Sequence, residues 1–172
     1  MDLVISYIIR QDSSYEECFN IKITNKMLDY YGIDKNELHI QAMDNLFKDG
    51  YHFENMTTFI NQQMSLICPS MCNSSDDVYN NCDMYVLTNS IFRFGAAGML
   101  HKELIKKFAG KTDYFIIPSS LHEILFVPVS TMPVRDLNEI ICEINDKEVS
   151  PDERLSSHCY YYDAKREEIR IV

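Results

Sequence analysis

Hydrophobic positions along the chain change their spacing several times, and each change marks an element. Residues 3–10, LVISYIIR, are β-branched and aromatic without helical spacing, which predicts a strand. Residues 18–24, CFNIKIT, alternate Phe19, Ile21 and Ile23 with polar neighbours and predict a second. QDSSYEE between them is polar, so the pair is expected to be an antiparallel hairpin with one wet face. The spacing then lengthens to three and four. A short helix over NKMLDYY should stop at Gly32, and Asp34 with Glu37 three residues on is a capping-box pattern that opens another, with Leu38, Ala42 and Leu46 on one face. A third helix is expected over 56–67, carrying Met56, Phe59, Ile60, Met64 and Ile67 on a common stripe.

The second half is read the same way. Residues 68–83, CPSMCNSSDDVYNNCD, are rich in Asn, Ser and Asp and predict a mobile loop. MYVLTNS is a strand entering the glycine-containing turn RFGAAGM, and the helix after it should bury Leu100, Leu104, Ile105 and Phe108 before Gly110 ends it. YFIIP and EILFVPV are near-continuously apolar, as expected of central strands covered on both faces, with Pro128 at an edge, an end or a bulge. From 134 to 145, Leu137, Ile140, Ile141 and Ile144 predict an amphipathic helix. Ser150-Pro151-Asp152-Glu153 combines a cap, a proline at the first helical position and a reciprocal glutamate. CYYYD and EEIRIV around DAKRE suggest a last hairpin, in which Tyr160 and Tyr162 face one way, Tyr161 the other, and one face is core. The order ββ-ααα-β-α-ββ-α-ββ brings strands in adjacent pairs. It predicts an α+β fold with a largely antiparallel or mixed sheet flanked by helices.

Composition narrows the function classes. A chain of 172 residues suits one domain, residues 1–172, burying roughly two thirds of its unfolded surface. Sixteen Lys plus Arg against 26 Asp plus Glu leave a net charge of −10, which repels phosphate backbones and anionic lipid and argues against nucleic acid as a partner. The one concentrated basic run, HKELIKKFAGK at 101–111, reads as the wet face of a helix. No segment reaches the roughly 20 apolar residues of a membrane span, and MDLVISYIIRQDSS lacks the basic start and cleavage site of a secretion signal. A cytoplasmic protein with mostly free thiols follows, with Cys18, Cys142 and Cys159 expected to be buried in their apolar runs.

Four phrases occur together: TNKMLDYYGIDKNELHIQAMDNL, MYVLTN followed by GAAGML, FIIPSSLHEILFVPV, and LNEIICEIND with EVSPDERLSSHCYYYD. The combination resembles the bacterial domain-of-unknown-function family 5688, found largely in gut anaerobes, and the likeness covers nearly the whole chain. PSS-x-HE and LS-x-x-Y-x-YD are its more specific parts. Members of that family usually carry a further N-terminal region, so the chain looks like a shortened member or a C-terminal module. The resemblance supports the architecture and implies no activity.

PSSLHE at 118–123 gathers Ser119, Ser120, His122 and Glu123. A hydrolytic triad needs a serine on the imidazole and an acid on its other nitrogen. On an extended backbone Ser120 and His122 share a side while Glu123 points away, so an acid from elsewhere, such as Asp136 or Glu139, would be required. No G-x-S-x-G elbow is present. The simpler expectation is a turn closed by the serines, with His122 and Glu123 capping a strand or pairing with the basic helix.

Cys68, Cys72 and Cys82, with Asp76, Asp77, Asp83 and His52 as further donors, make a weak metal candidate, since only one short cysteine pair exists and the fourth ligand is undefined. GAAGM matches neither a dinucleotide fingerprint nor a Walker loop and reads as close packing. The two short helices at 25–48 carry Asp29, Asp34, Glu37 and Asp44 and so suit packing better than DNA contact. A non-enzymatic binding or interaction module is therefore expected, without cofactor or membrane, its partner a protein or small ligand and a second copy of the chain among the candidates. The competing expectation is a hydrolase using Ser119 or Ser120 with His122.

Overall fold

A computed structural model of the chain describes residues 2–11, 19–67 and 83–172. They gather into two compact units, residues 2–48 and residues 49–172, each described by itself. Most of the predicted 68–83 loop lies outside the described residues.

In the first unit β1 (Ile8–Gln11) and β2 (Phe19–Lys22) form the expected antiparallel hairpin, with Ile9 opposite Ile21. The strands are shorter than their apolar runs. Ile9 and Ile21 are 40% and 54% exposed, so Ile21 does not lie on a covered face as its alternation suggested. A two-stranded ribbon has too little area to enclose both sides of its strands. Helix α1 (Asn25–Tyr31) ends where Gly32 adopts φ +67°, a left-handed conformation that costs glycine little. Helix α2 (Lys35–Leu46) opens on the predicted box: Asp34 accepts from the amides of Asn36 and Glu37 at 2.7 and 2.9 Å, and its own amide donates to Glu37 at 2.8 Å. Tyr7 Oη bonds His39 Nδ1 at 2.8 Å and ties the chain before β1 to α2.

The second unit is built on a six-stranded antiparallel sheet in the order β3-β4-β6-β5-β7-β8. Its strands are β3 (His52–Asn55), β4 (Tyr85–Thr88), β5 (Tyr114–Ile117), β6 (Ile124–Pro128), β7 (Tyr160–Asp163) and β8 (Glu168–Ile171). The chain is α+β, as its pattern predicts, and Pro128 closes the end of β6. Strand β3 is absent from the predicted order. HFEN is four residues long with three polar side chains and pairs on one side only, so its sequence reads as a lead-in to the next helix.

Helix α4 (Lys102–Ala109) covers one face of the sheet. Phe108 stacks on Phe53 with ring centroids 3.7 Å apart, and Tyr85, Tyr114 and Phe126 surround it. Helix α5 (Val134–Lys147) covers the other, where Leu137 and Ile141 pack with Ile117, Val127 and Cys159. This two-sided burial explains why β5 and β6 are apolar at successive positions. Along β7, Tyr160 and Tyr162 are buried and Tyr161 is only half-buried, following the strand alternation.

Three details differ from expectation. On α5 the inward stripe runs Leu137, Ile141, Asn145, while Ile140 and Ile144 are 40% and 43% exposed, because the helix offers more apolar residues than one sheet contact can cover. On α3 (Met56–Ile67) Met64 is 48% exposed and Gln63 takes the half-buried place beside it. Cys142 is exposed, Cys159 is buried as expected, and Cys18 lies outside the described residues.

Candidate functional site

Antiparallel pairing brings the end of β4, the end of β5 and the start of β6 to one edge of the sheet. Three irregular segments meet there: residues 89–95 after β4, the PSSLHE turn between β5 and β6, and a 3-10 turn at Pro151–Glu153. Backbone bonds stitch them together. Ala96 donates to the carbonyl of Leu121 at 3.2 Å and Leu121 to that of Glu153 at 3.1 Å.

The first segment is organised by Asn89, which is fully buried. Its Nδ2 donates to the Arg93 carbonyl at 2.7 Å and its Oδ1 accepts from the amides of Ile91 and Arg93 at 3.3 and 3.2 Å. The loop it holds includes Phe92 and Phe94 at φ +53° and +56°, a conformation costing about 1–3 kcal/mol for each side-chain-bearing residue. Gly95 follows because nothing larger fits. A Cβ there would lie 2.1 Å from the carbonyl oxygen of His122 and 3.0 Å from Thr88. Gly98 is likewise pressed against the Tyr51 ring, so the GAAGM glycines serve close packing.

Within PSSLHE the backbone folds over instead of running extended, and this redistributes the side chains. Ser120 N donates to the Glu123 carbonyl at 3.3 Å, and the turn brings residues three apart together. Glu123 Oε1 accepts the Ser120 hydroxyl at 2.9 Å and the Ser119 hydroxyl at 3.4 Å, so Ser120 and Glu123 meet where an extended strand would separate them. Ser120 Oγ also accepts from the His122 amide at 3.0 Å. Ser120 Oγ makes the expected bond to backbone, whereas the Ser119 hydroxyl reaches only the Glu123 carboxylate. Neither His122 nor Glu123 pairs with α4; the partner of Glu123 is the serine pair and that of His122 is Glu153.

His122 faces the other way. The Phe94 amide points at its Nδ1 across 3.3 Å, so Nδ1 accepts, the ring proton sits on Nε2, and Nε2 donates to Glu153 Oε1 at 3.2 Å. The rings of Phe94 and His122 lie 5.7 Å apart. The His122 and Glu153 side chains keep 30% and 43% of their surface exposed. An acid does therefore reach the imidazole, but it is Glu153, not Asp136 or Glu139; the latter pairs with Arg135 on the exposed side of α5. Among the described residues no serine hydroxyl bonds the ring. This also corrects the reading of Glu153 as a reciprocal cap: Ser150 makes no side-chain cap bond, and the glutamate carboxylate is engaged by His122.

Asn89, Phe94 and Glu153 were not read from the sequence as parts of this cluster. The only signals were an asparagine just after a strand and a glutamate in a turn, both common in loops. Cys68, Cys72 and Cys82 lie outside the described residues, and His52 Nδ1 bonds the carbonyl of Gly50 at 3.1 Å.

The sequence of the chain matches the model of the family of unknown function DUF5688 over residues 1–164. It belongs to that family. No curated protein and no solved structure matches it. Among the described residues no helix of this DUF5688 member is long and apolar enough to cross a membrane.

Proposed function

We propose that this DUF5688 protein acts by binding another macromolecule or a small ligand, without catalysing a reaction. One observation carries the reading. The Ser120 hydroxyl and both ring nitrogens of His122 already have partners that hold the turn together, so among the described residues of this turn no free base stands beside a free nucleophile. The net charge of −10 supports a partner other than nucleic acid. We place the protein in the bacterial cytoplasm, on composition and on the family resemblance. A second copy of the chain is a candidate partner, supported by Ile9 and Ile21, a directly paired and exposed apolar couple on the hairpin. Light scattering across concentrations tests this, and a strict monomer removes it.

The hydrolase reading draws on the His122–Glu153 pair at 3.2 Å, which is the base-and-orienter half of a triad. p-Nitrophenyl acetate and butyrate separate the two. The binding reading expects wild type, Ser120→Ala and His122→Gln to release nitrophenol at the same rate. A burst in wild type that Ser120→Ala abolishes establishes the hydrolase instead.

A further inference from the structure

The inward stripe of α5 ends in a polar residue. Asn145 is 7% exposed, and its Nδ2 donates to the Ser156 carbonyl at 2.9 Å. Its Oδ1 has no hydrogen-bond partner among the described residues. Asn145 lines a cavity of about 310 Å³, whose walls are Cys142, Asn145 and Asp146 on α5 and the segment 154–157 facing them. That volume lies at the lower end of the range of small-ligand sites.

Charge within the cavity is divided. Arg154 is fixed by its Nε, which donates to the Val149 carbonyl at 3.0 Å, and its Nη1 reaches Asp146 Oδ1 only at 3.5 Å. Its Nη2 has no partner among the described residues. The cavity thus offers a positioned cation with free N–H groups, and two acceptors, Asn145 Oδ1 and the Asp146 carboxylate, adjacent in sequence at the end of α5. A contact at 3.5 Å between groups this exposed contributes little, so a ligand can replace it at small cost.

We propose that this cavity binds a free α-amino acid, with the ligand carboxylate on the Arg154 guanidinium and the ammonium between Asn145 Oδ1 and Asp146. The inference rests on the binding-module reading and assigns it a ligand class and a place distinct from PSSLHE. Both charges of the ligand are recognised, by groups of opposite sign, and the volume restricts the ligand to a single small molecule.

The test is a titration of ¹⁵N-labelled full chain with L-alanine, L-leucine and L-glutamine, using propionate and ethylamine as half-ligands. Saturable shifts are expected at the Asn145 side-chain amide and the Ser156 and Ser157 backbone amides. Each half-ligand should bind about tenfold or more weakly, the loss of one charge-assisted hydrogen bond. Asp146→Asn, at an exposed position, should weaken the amino acid without weakening propionate; Arg154→Met should weaken both. Equal binding of propionate and alanine overturns the proposal in favour of a simple anion contact, and no shift with any probe overturns it outright. Neither result touches the ester assay, so failure of this cavity and failure of the binding-module reading are distinguishable.

Discussion

Two polar clusters sit in the second unit, and they differ in how completely their atoms are engaged. At the sheet edge, PSSLHE contains the residue types of a hydrolase, yet the serine hydroxyls, the imidazole nitrogens and the Glu153 carboxylate are bonded to one another or to backbone. Beside α5, the residues are chemically ordinary, yet Asn145 Oδ1 and one edge of Arg154 remain open on a cavity. Polar atoms that satisfy each other rigidify a fold, whereas those left unsatisfied are available to a ligand.

Substitutions can break this contrast, beginning with the largest effect. Gly95→Ala forces a methyl group onto a backbone carbonyl, and should cost about 3 kcal/mol in urea denaturation, the upper end of overpacking. A near-neutral result would mean the sheet-edge cluster is looser than described. Ser120→Ala removes a donor to Glu123 and the acceptor of the His122 amide together, and should cost about 1–3 kcal/mol by the same measurement.

Asp113→Asn probes a third, purely structural cluster. Asp113 accepts the Tyr161 hydroxyl at 2.6 Å and the Ala164 amide at 2.9 Å, and these bonds hold its carboxyl below the ordinary carboxylate value, the tyrosine first. Because the folded state favours the ionised form, the stabilisation is present above the unfolded pKa and is lost as pH falls through the folded one. The Tm gap between wild type and Asp113→Asn should therefore be full at pH 7 and close through the acidic carboxylate range. A gap independent of pH would assign the effect to shape instead of charge. The same bond raises the Tyr161 hydroxyl, so ultraviolet titration should show that tyrosine ionising late.

The smallest effects are expected where a bond is long or exposed. Glu153→Gln keeps an oxygen for His122 Nε2 and should stay within about 1 kcal/mol. Ser119→Ala, whose bond is 3.4 Å, should stay within about 0.5 kcal/mol. If Ser119→Ala proves as costly as Ser120→Ala, the turn is held by both serines equally.

Much of the architecture was legible locally. The capping box at Asp34, the stop at Gly32, the central β5 and β6, and the β7–β8 hairpin all follow from interactions within a few residues, or from an apolar period that only one secondary structure satisfies. Strand β3 was hidden because an edge strand of four residues carries no strong alternation. The side-chain directions in PSSLHE were misjudged because a turn and a strand of the same composition send residue 123 to different places.

What the amino-acid order alone determined is the fold class, the two-sided burial of the central strands and most helix boundaries, since these depend on nearest neighbours and on hydrophobic period. Tertiary structure decided which acid reaches His122, that Ser120 bonds Glu123, and that Asn145 is buried with an open acceptor. Those outcomes depend on distances between segments tens of residues apart, such as His122 and Glu153, which chain closure alone brings within 3.2 Å.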